Sequence, residues 1–132
     1  MKPGDLFSAD VADFEAGAVS GRHLYVVLSL PIEPQNQILV VTISTYESYK
    51  DQTTVLTSRD HPMISHESVI MYDRIRMVAM QRIESLIQEK KIVVHQPFSP
   101  DVLKRILYGA AKSRKIKDRF IHILDRQRLL ED

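Results

Sequence analysis

The chain of 132 residues contains no cysteine and no tryptophan, only four glycines, and no long uninterrupted apolar run. Without cysteine there can be no disulfide, no thiolate nucleophile and no metal site built on sulfur ligands. No apolar segment approaches the roughly 20 residues that a membrane helix needs, and the opening "MKPGDLFSAD" lacks the apolar segment of a secretory signal. We therefore expect a cytoplasmic protein with no membrane partner.

The motifs of several common enzyme classes are also missing. There is no P-loop, no Rossmann glycine fingerprint, no Gly-x-Ser-x-Gly elbow and no His-Glu-x-x-His pair. His61 and His66 are five residues apart across a proline, which is not the spacing of a zinc pair on a helix or a strand. We expect neither a metal nor a cofactor. His23, His61 and His66 stay open as proton-transfer groups, although a lone loop histidine is more often only a surface residue.

The composition that is present, 44% hydrophobic and 27% charged residues, is typical of one compact globular domain. The net charge is only +1, but basic residues concentrate near the C-terminal end, most densely in "KSRKIKDR", residues 112–119. Such a cluster is compatible with nucleic-acid binding, and it is equally typical of a solvated helix face. Charge alone leaves both interpretations open.

Short β-type segments follow one another through the first 98 residues. They are "KPGDLF", "HLYVVLSL", "ILVVTISTY" and "TTVLT", separated by turns rich in Gly, Pro, Asn and Asp. In the third segment Leu39, Val41 and Ile43 share one face, and Val40, Thr42 and Ser44 share the other. Four or five short strands at about ten-residue spacing predict a small barrel or curled sheet.

The segment "SVIMYDRIRMVAMQRI", residues 68–83, fits two periodicities. As strands it places Arg74, Arg76 and Arg82 opposite an apolar face; as a helix it forms a single apolar stripe. From residue 99 the pattern is clearly helical, because Ser99 suits an N-cap and Pro100 the first helical position. A second helix is predicted over residues 116–129, after a break near Ser113. The sequence thus predicts a mainly β domain over residues 1–98 with a helical segment over residues 99–132 packed on it.

Arg22, at the start of one strand, and Ser44 with Thr45, at the end of another, have the side chains that suit a phosphate. A guanidinium is planar, always charged and matches phosphate oxygens, and a neighbouring hydroxyl can donate a hydrogen bond to the same group. The alternative is that Arg22 only closes the preceding loop and Ser44 only ends its strand.

The order of these segments resembles the MazF/PemK family of toxin endoribonucleases. "KPGDLF", a Gly-containing loop, "GRHLYVVLS", "ILVVTIST" and "SVIMYDRIRMVAMQRI" occur in the family's order over roughly residues 2–110. The segment "HPMISHES", residues 61–68, is similar to one found in a divergent branch. The resemblance implies a small SH3-like barrel followed by a C-terminal helix, usually as a homodimer. Residues 68–72 and 75–80 are then strands, and Arg82 starts the segment that leaves them.

The resemblance also implies a function: the toxin of a type II toxin-antitoxin system, which cleaves single-stranded RNA without a metal and is inhibited by an antitoxin protein. Such cleavage requires deprotonation of a ribose 2′-hydroxyl, stabilisation of the phosphorane and protonation of the leaving oxygen. Arg22 and Ser44 match the family's catalytic arginine and threonine, with Thr45 and His23 beside them as further catalytic candidates. Arg76 and Arg82 match family positions on the dimer and RNA side, and Arg74 points to the same side as Arg76, so we expect these three arginines to bind RNA. Lys115 and Lys117 either bind RNA or lie on a packed helix.

The chain departs from the family pattern at three points. His23 stands where the family has proline, the family's Glu-Gln pair is absent from "GAVSGR", and Ser44 replaces threonine. These departures favour a second interpretation, in which a non-catalytic barrel of the same ancestry binds RNA or a protein partner. RNA cleavage that is lost when Arg22 is replaced would distinguish the endoribonuclease from the non-catalytic barrel.

Overall fold

The computed structural model describes residues 1–131; Asp132, the last residue of the predicted helical segment, lies outside the described residues. The seven strands are β1 (Leu6–Asp10), β2 (Arg22–Val27), β3 (Gln37–Thr45), β4 (Val55–Leu56), β5 (Ser68–Ile70), β6 (Arg76–Ala79) and β7 (Val93–His95). The three α-helices are α1 (Met80–Gln88), α2 (Pro100–Lys112) and α3 (Asp118–Arg126). Short 3₁₀ helices occupy Val11–Asp13 and Tyr72–Arg74.

The strands form one antiparallel open sheet in the order β4-β5-β3-β2-β1-β7. The long strand β3 lies at its centre and pairs with β2 along one side. Along its other side β3 pairs first with β6 and then, near its C-terminal end, with β5. The expected mainly β domain with C-terminal helices is confirmed at this level.

Apolar side chains cover both faces of the sheet. Leu39, Val41 and Ile43 share one face as predicted, and they pack with the buried residues of α2 and α3. Ile38 and Val40 point to the opposite face, where they pack with the buried side of α1. Burying a side chain of this size contributes about 1.5–3 kcal/mol to stability. Because β3 is buried on both faces, its register is strongly determined.

The segment of residues 68–83 follows both of its periodicities in succession. It runs as β5, the 3₁₀ helix Tyr72–Arg74 and β6, and it turns helical at Met80. The predicted strands are thus confirmed in shorter form, but the prediction missed α1 and wrongly made Arg82 the start of an exit loop. The physical reason is that Met80, Ile83 and Leu86 recur at helical spacing and are buried on one side of α1.

The predicted start of α2 is confirmed. Ser99 Oγ accepts a hydrogen bond from the Val102 amide at 3.3 Å, and Pro100 occupies the first helical position. The helix ends at Ser113, where the break was expected. The helix expected over residues 116–129 is shorter, because α3 covers only Asp118–Arg126; Ile116 is buried in the core ahead of it.

Candidate active site

The ends of three neighbouring strands form one edge of the sheet. Leu24 of β2 pairs with Ile43 of β3, and Thr45 of β3 pairs with Ser68 of β5. Extending the first register by two residues brings Arg22 level with Thr45 and His23 level with Ser44. A cleft of about 230 Å³ lies at this edge. Its lining includes all four predicted catalytic residues, Arg22, His23, Ser44 and Thr45.

These four residues reach the cleft from different faces of the sheet. Side chains alternate along a strand, so Arg22 and Thr45 lie on the face of Leu24 and Ile43. His23 and Ser44 lie on the opposite face. Arg22 therefore shares a face with Thr45, which the resemblance gave only as a further catalytic candidate. It does not share a face with Ser44, which the resemblance matched to the family's catalytic threonine.

The loop before Arg22 is held by one carboxylate. Asp10 accepts hydrogen bonds from the Ala12 amide at 2.9 Å, from the Gly21 amide at 3.1 Å, and from the Ser20 hydroxyl. The hydrogen bond from Ser20, followed by those of the two amides, lowers the pKa of Asp10. The hydrogen bonds of the Asp10 carboxylate thus go to its own loop, and Arg22, which pairs with Asp10 across β1 and β2, makes the smallest contribution to the lowered pKa.

The Arg22 guanidinium is exposed, and it donates one long hydrogen bond of 3.4 Å to the Ser8 carbonyl. Within residues 1–131 no carboxylate lies within ion-pair distance of it, whereas Arg76 and Arg105 both have such partners. A guanidinium without a fixed counter-ion at the edge of a cleft is suited to an external anion such as a phosphate.

The segment of residues 61–68 brings a histidine to the same cleft. His66 Nε2 lies 3.0 Å from Thr45 Oγ1, and its Nδ1 lies 3.0 Å from Ser65 Oγ. Ser68 Oγ donates to the His66 carbonyl at 2.9 Å, which fixes the backbone at this point. The sequence leaves His66 open as a proton-transfer group but predicts His23 as the catalytic histidine, because sequence distance alone does not show that residue 66 returns to Thr45.

Ser44 has a partner that the sequence did not reveal. Lys50 Nζ donates to Ser44 Oγ at 2.9 Å and to the Thr45 carbonyl at 3.0 Å, and it forms an ion pair of 2.8 Å with Glu47. The hydrogen bonds from Lys50 and Tyr49 lower the pKa of Glu47. Lys50 therefore ties the turn after β3 to the strand end and occupies one acceptor position of the Ser44 hydroxyl.

The predicted RNA-binding residues lie largely together in a second cleft of about 560 Å³. Arg74, Arg76 and Lys117 line it with Arg119, and Phe14, Glu15 and Asp73 are also in its lining. Arg76 is hydrogen-bonded to Glu15, so part of the positive charge is already neutralised.

The other two predicted RNA-binding residues are not in the lining of the second cleft. The guanidinium of Arg82, on α1, lies 3.5 Å from the Asp13 carbonyl. Lys115 follows α2, and its backbone amide donates to Ser113 Oγ at 3.1 Å.

Metal-ligating side chains do not cluster anywhere in residues 1–131: no group of three or more His, Asp or Glu residues there could hold an ion. Over the same described residues, no helix is long and apolar enough to cross a membrane.

No protein-family model matches the chain, and no curated protein sequence matches it.

Proposed function

We propose that the chain is a metal-independent endoribonuclease of the MazF/PemK type, acting as the toxin of a type II toxin-antitoxin system. The observation that supports this most directly is a single cleft lined by Arg22, which has no ion-pair partner among residues 1–131, and by Thr45 and His66, which are hydrogen-bonded to each other. The alternative, a barrel that binds RNA or a protein without cleaving, requires none of these three groups to be functional.

The proposed reaction is the attack of a ribose 2′-hydroxyl on the adjacent phosphorus. Arg22 holds the phosphate and stabilises the charge that grows on the phosphorane oxygens, where a preorganised cation is most effective. Thr45 donates a hydrogen bond to the same phosphate. Ser44 and His23, on the other face of the strand ends, support the site, with Lys50 fixing the position of Ser44.

We propose further that single-stranded RNA extends from this site to the second cleft. Four cationic side chains and two carboxylates line the second cleft, which leaves an excess of positive charge for the phosphate backbone. Phe14 is half-buried in the same lining, and aromatic rings are surfaces on which unpaired bases stack.

The remaining parts of the proposal rest on the sequence resemblance. They are an SH3-like curvature of the open sheet, a homodimer in the cytoplasm, and inhibition by a small antitoxin protein that covers the RNA-binding surface. Induced expression should arrest growth, and coexpression of the product of a small adjacent gene should relieve the arrest.

The decisive variant is Arg22→Ala, tested on a mixed-sequence single-stranded RNA in excess EDTA. Loss of the guanidinium should reduce cleavage by at least about 100-fold, as is usual when a transition-state donor is removed. Arg59→Ala is the matched control, because the Arg59 side chain is also exposed and lies outside both clefts. Intact RNA with the unaltered protein, or equal cleavage by both variants, contradicts the proposal.

A further inference from the structure

The chain has five histidines, and their surroundings show which of them could contact a substrate in the first cleft. His61 is buried, and both of its ring nitrogens are engaged: the Met63 amide donates to Nδ1 at 3.0 Å, so Nε2 carries the proton and donates to the Gln96 carbonyl at 2.8 Å. It therefore has no nitrogen left for a substrate and acts as a support for the segment of residues 61–68.

Two more histidines lie outside the first cleft. His95 ends β7, where its Nε2 lies 2.6 Å from Ser8 Oγ, and burial, followed by repulsion from His61 and Arg22, lowers its pKa. His122 is exposed on α3. Neither is in the lining of the cleft that holds Arg22.

Of the two histidines in that cleft, His66 is the one that contacts Thr45, the hydroxyl level with Arg22. His23 belongs to the opposite face of β2, whereas the ring of His66 bonds directly to Thr45 Oγ1. His66 is also exposed, so a nucleotide can reach its ring. The other charged or titratable groups near it are Arg22 and His23 in the cleft lining, Lys50, which donates to the Thr45 carbonyl from the turn after β3, and Glu67 in its own segment.

We infer that His66 is the general base of the proposed endoribonuclease, which removes the proton from the ribose 2′-hydroxyl. The inference rests on the proposed function. With its proton on Nδ1, His66 donates to Ser65 Oγ and turns the lone pair of Nε2 to Thr45, 3.0 Å away. A 2′-hydroxyl that approaches Thr45 can take over the Thr45 hydrogen bond and give its proton to Nε2.

Each proton and bond of this reaction is accounted for without a metal ion. The 2′-hydroxyl proton passes to Nε2 while the bond from the 2′-oxygen to phosphorus forms. The bond from phosphorus to the 5′-oxygen then breaks, and a water molecule supplies the proton to the leaving oxygen. The products are a 2′,3′-cyclic phosphate and a 5′-hydroxyl, and His66 returns its proton to solvent.

His66→Ala tests this assignment. General base catalysis typically contributes 10²–10⁴-fold, so cleavage should fall by about that factor. A base acts only in its unprotonated form, so the activity of the unaltered protein should fall as the pH is lowered, and the variant should not show that fall. His122→Ala, which also removes an exposed histidine, is the control and should retain full activity.

A second substrate distinguishes a base from an acid. An RNA with sulfur in place of the leaving 5′-oxygen needs no proton on its leaving group, so it bypasses the loss of a general acid but not the loss of a general base. If His66 is the base, His66→Ala should therefore cleave this RNA as poorly as it cleaves ordinary RNA. Restoration would make His66 the general acid and overturn the assignment.

Two other outcomes also count against the assignment, and they separate it from the proposed function. If His66→Ala stays within about threefold of the unaltered protein while Arg22→Ala is inactive, His66 is not the base and the endoribonuclease stands. If the unaltered protein leaves RNA intact, both proposals fall together. Circular dichroism of His66→Ala confirms the fold, which an exposed side chain should not disturb.

Discussion

Replacing Gly109 with alanine should destabilise this protein, although helix propensity alone predicts the opposite. Gly109 is buried in α2, where it faces Tyr72 of the second 3₁₀ helix and Thr54, the residue before β4. A Cβ at this position would overlap Thr54 Oγ1 and the Tyr72 hydroxyl, and it would lie 3.2 Å from Tyr72 Cζ. The methyl group fits only if the helix moves away or both side chains shift.

The buried hydrogen bonds make such a shift costly. Tyr72 is fully buried, and its hydroxyl donates to the Ile106 carbonyl at 2.6 Å and lies 2.8 Å from Thr54 Oγ1. Overpacking typically costs about 1–3 kcal/mol, and a buried polar group left without a partner costs about 1–3 kcal/mol. The higher helix propensity of alanine stabilises the folded state by about 1 kcal/mol and offsets part of this loss. We expect a net loss of about 3 kcal/mol.

Urea unfolding followed by circular dichroism measures this loss directly. A change of about 3 kcal/mol should lower the melting temperature by roughly 10 °C in a domain of this size. Adding Thr54→Ala removes one of the overlapping atoms, so the double variant should lose less than the sum of the two single variants. A Gly109→Ala protein as stable as the original, or more stable, refutes the close packing of α2 on Tyr72.

Three further predictions concern the helix cap, a buried carboxylate and the second cleft. Ser99→Ala should cost about 1 kcal/mol in urea unfolding, because it removes the hydrogen bond to the first turn of α2; an unchanged stability would show that the cap is not needed. Burial opposes ionisation of Asp51, but hydrogen bonds from Ser113 and Thr53 outweigh it and lower its pKa. The stability it contributes is therefore present above its unfolded pKa and is lost as the pH falls through the folded value, so Asp51→Asn should weaken the acid dependence of the melting temperature. Lys117→Ala should reduce the salt dependence of RNA binding by about one unit of slope, and an unchanged slope would exclude Lys117 from the RNA-binding surface.

Hydrophobic periodicity and capping residues were enough to predict the elements in which only one periodicity is present. The alternation along β3 and the cap of α2 at Ser99 and Pro100 each agree with the three-dimensional structure. The helix α1 was missed because its first turn continues the apolar alternation of β6 without a Gly, Pro or capping side chain between them. Where two periodicities meet with no stop signal, sequence alone does not locate the boundary.

The candidate site was only partly predictable, for a different reason. The residue types at Arg22 and Thr45 suggested a phosphate, but which hydroxyl faces the arginine depends on the register between β2 and β3. The contact of His66 with Thr45 depends on the path of the segment of residues 61–68, whose position is set by Ile64 in the core and His61 against Gln96. Long-range contacts of this kind leave no local signal.

The central claim is that the cleft of Arg22, Thr45 and His66 promotes attack by a ribose 2′-hydroxyl. It is tested most directly by two matched oligonucleotides, one of RNA and one with a single 2′-deoxyribose at the cleaved position, incubated with the protein in EDTA. The account predicts that the RNA is cut to a 2′,3′-cyclic phosphate and a 5′-hydroxyl, as identified by mass spectrometry, and that the deoxy-substituted strand stays intact at that position. Cleavage of both strands, or a product with a 5′-phosphate, contradicts it.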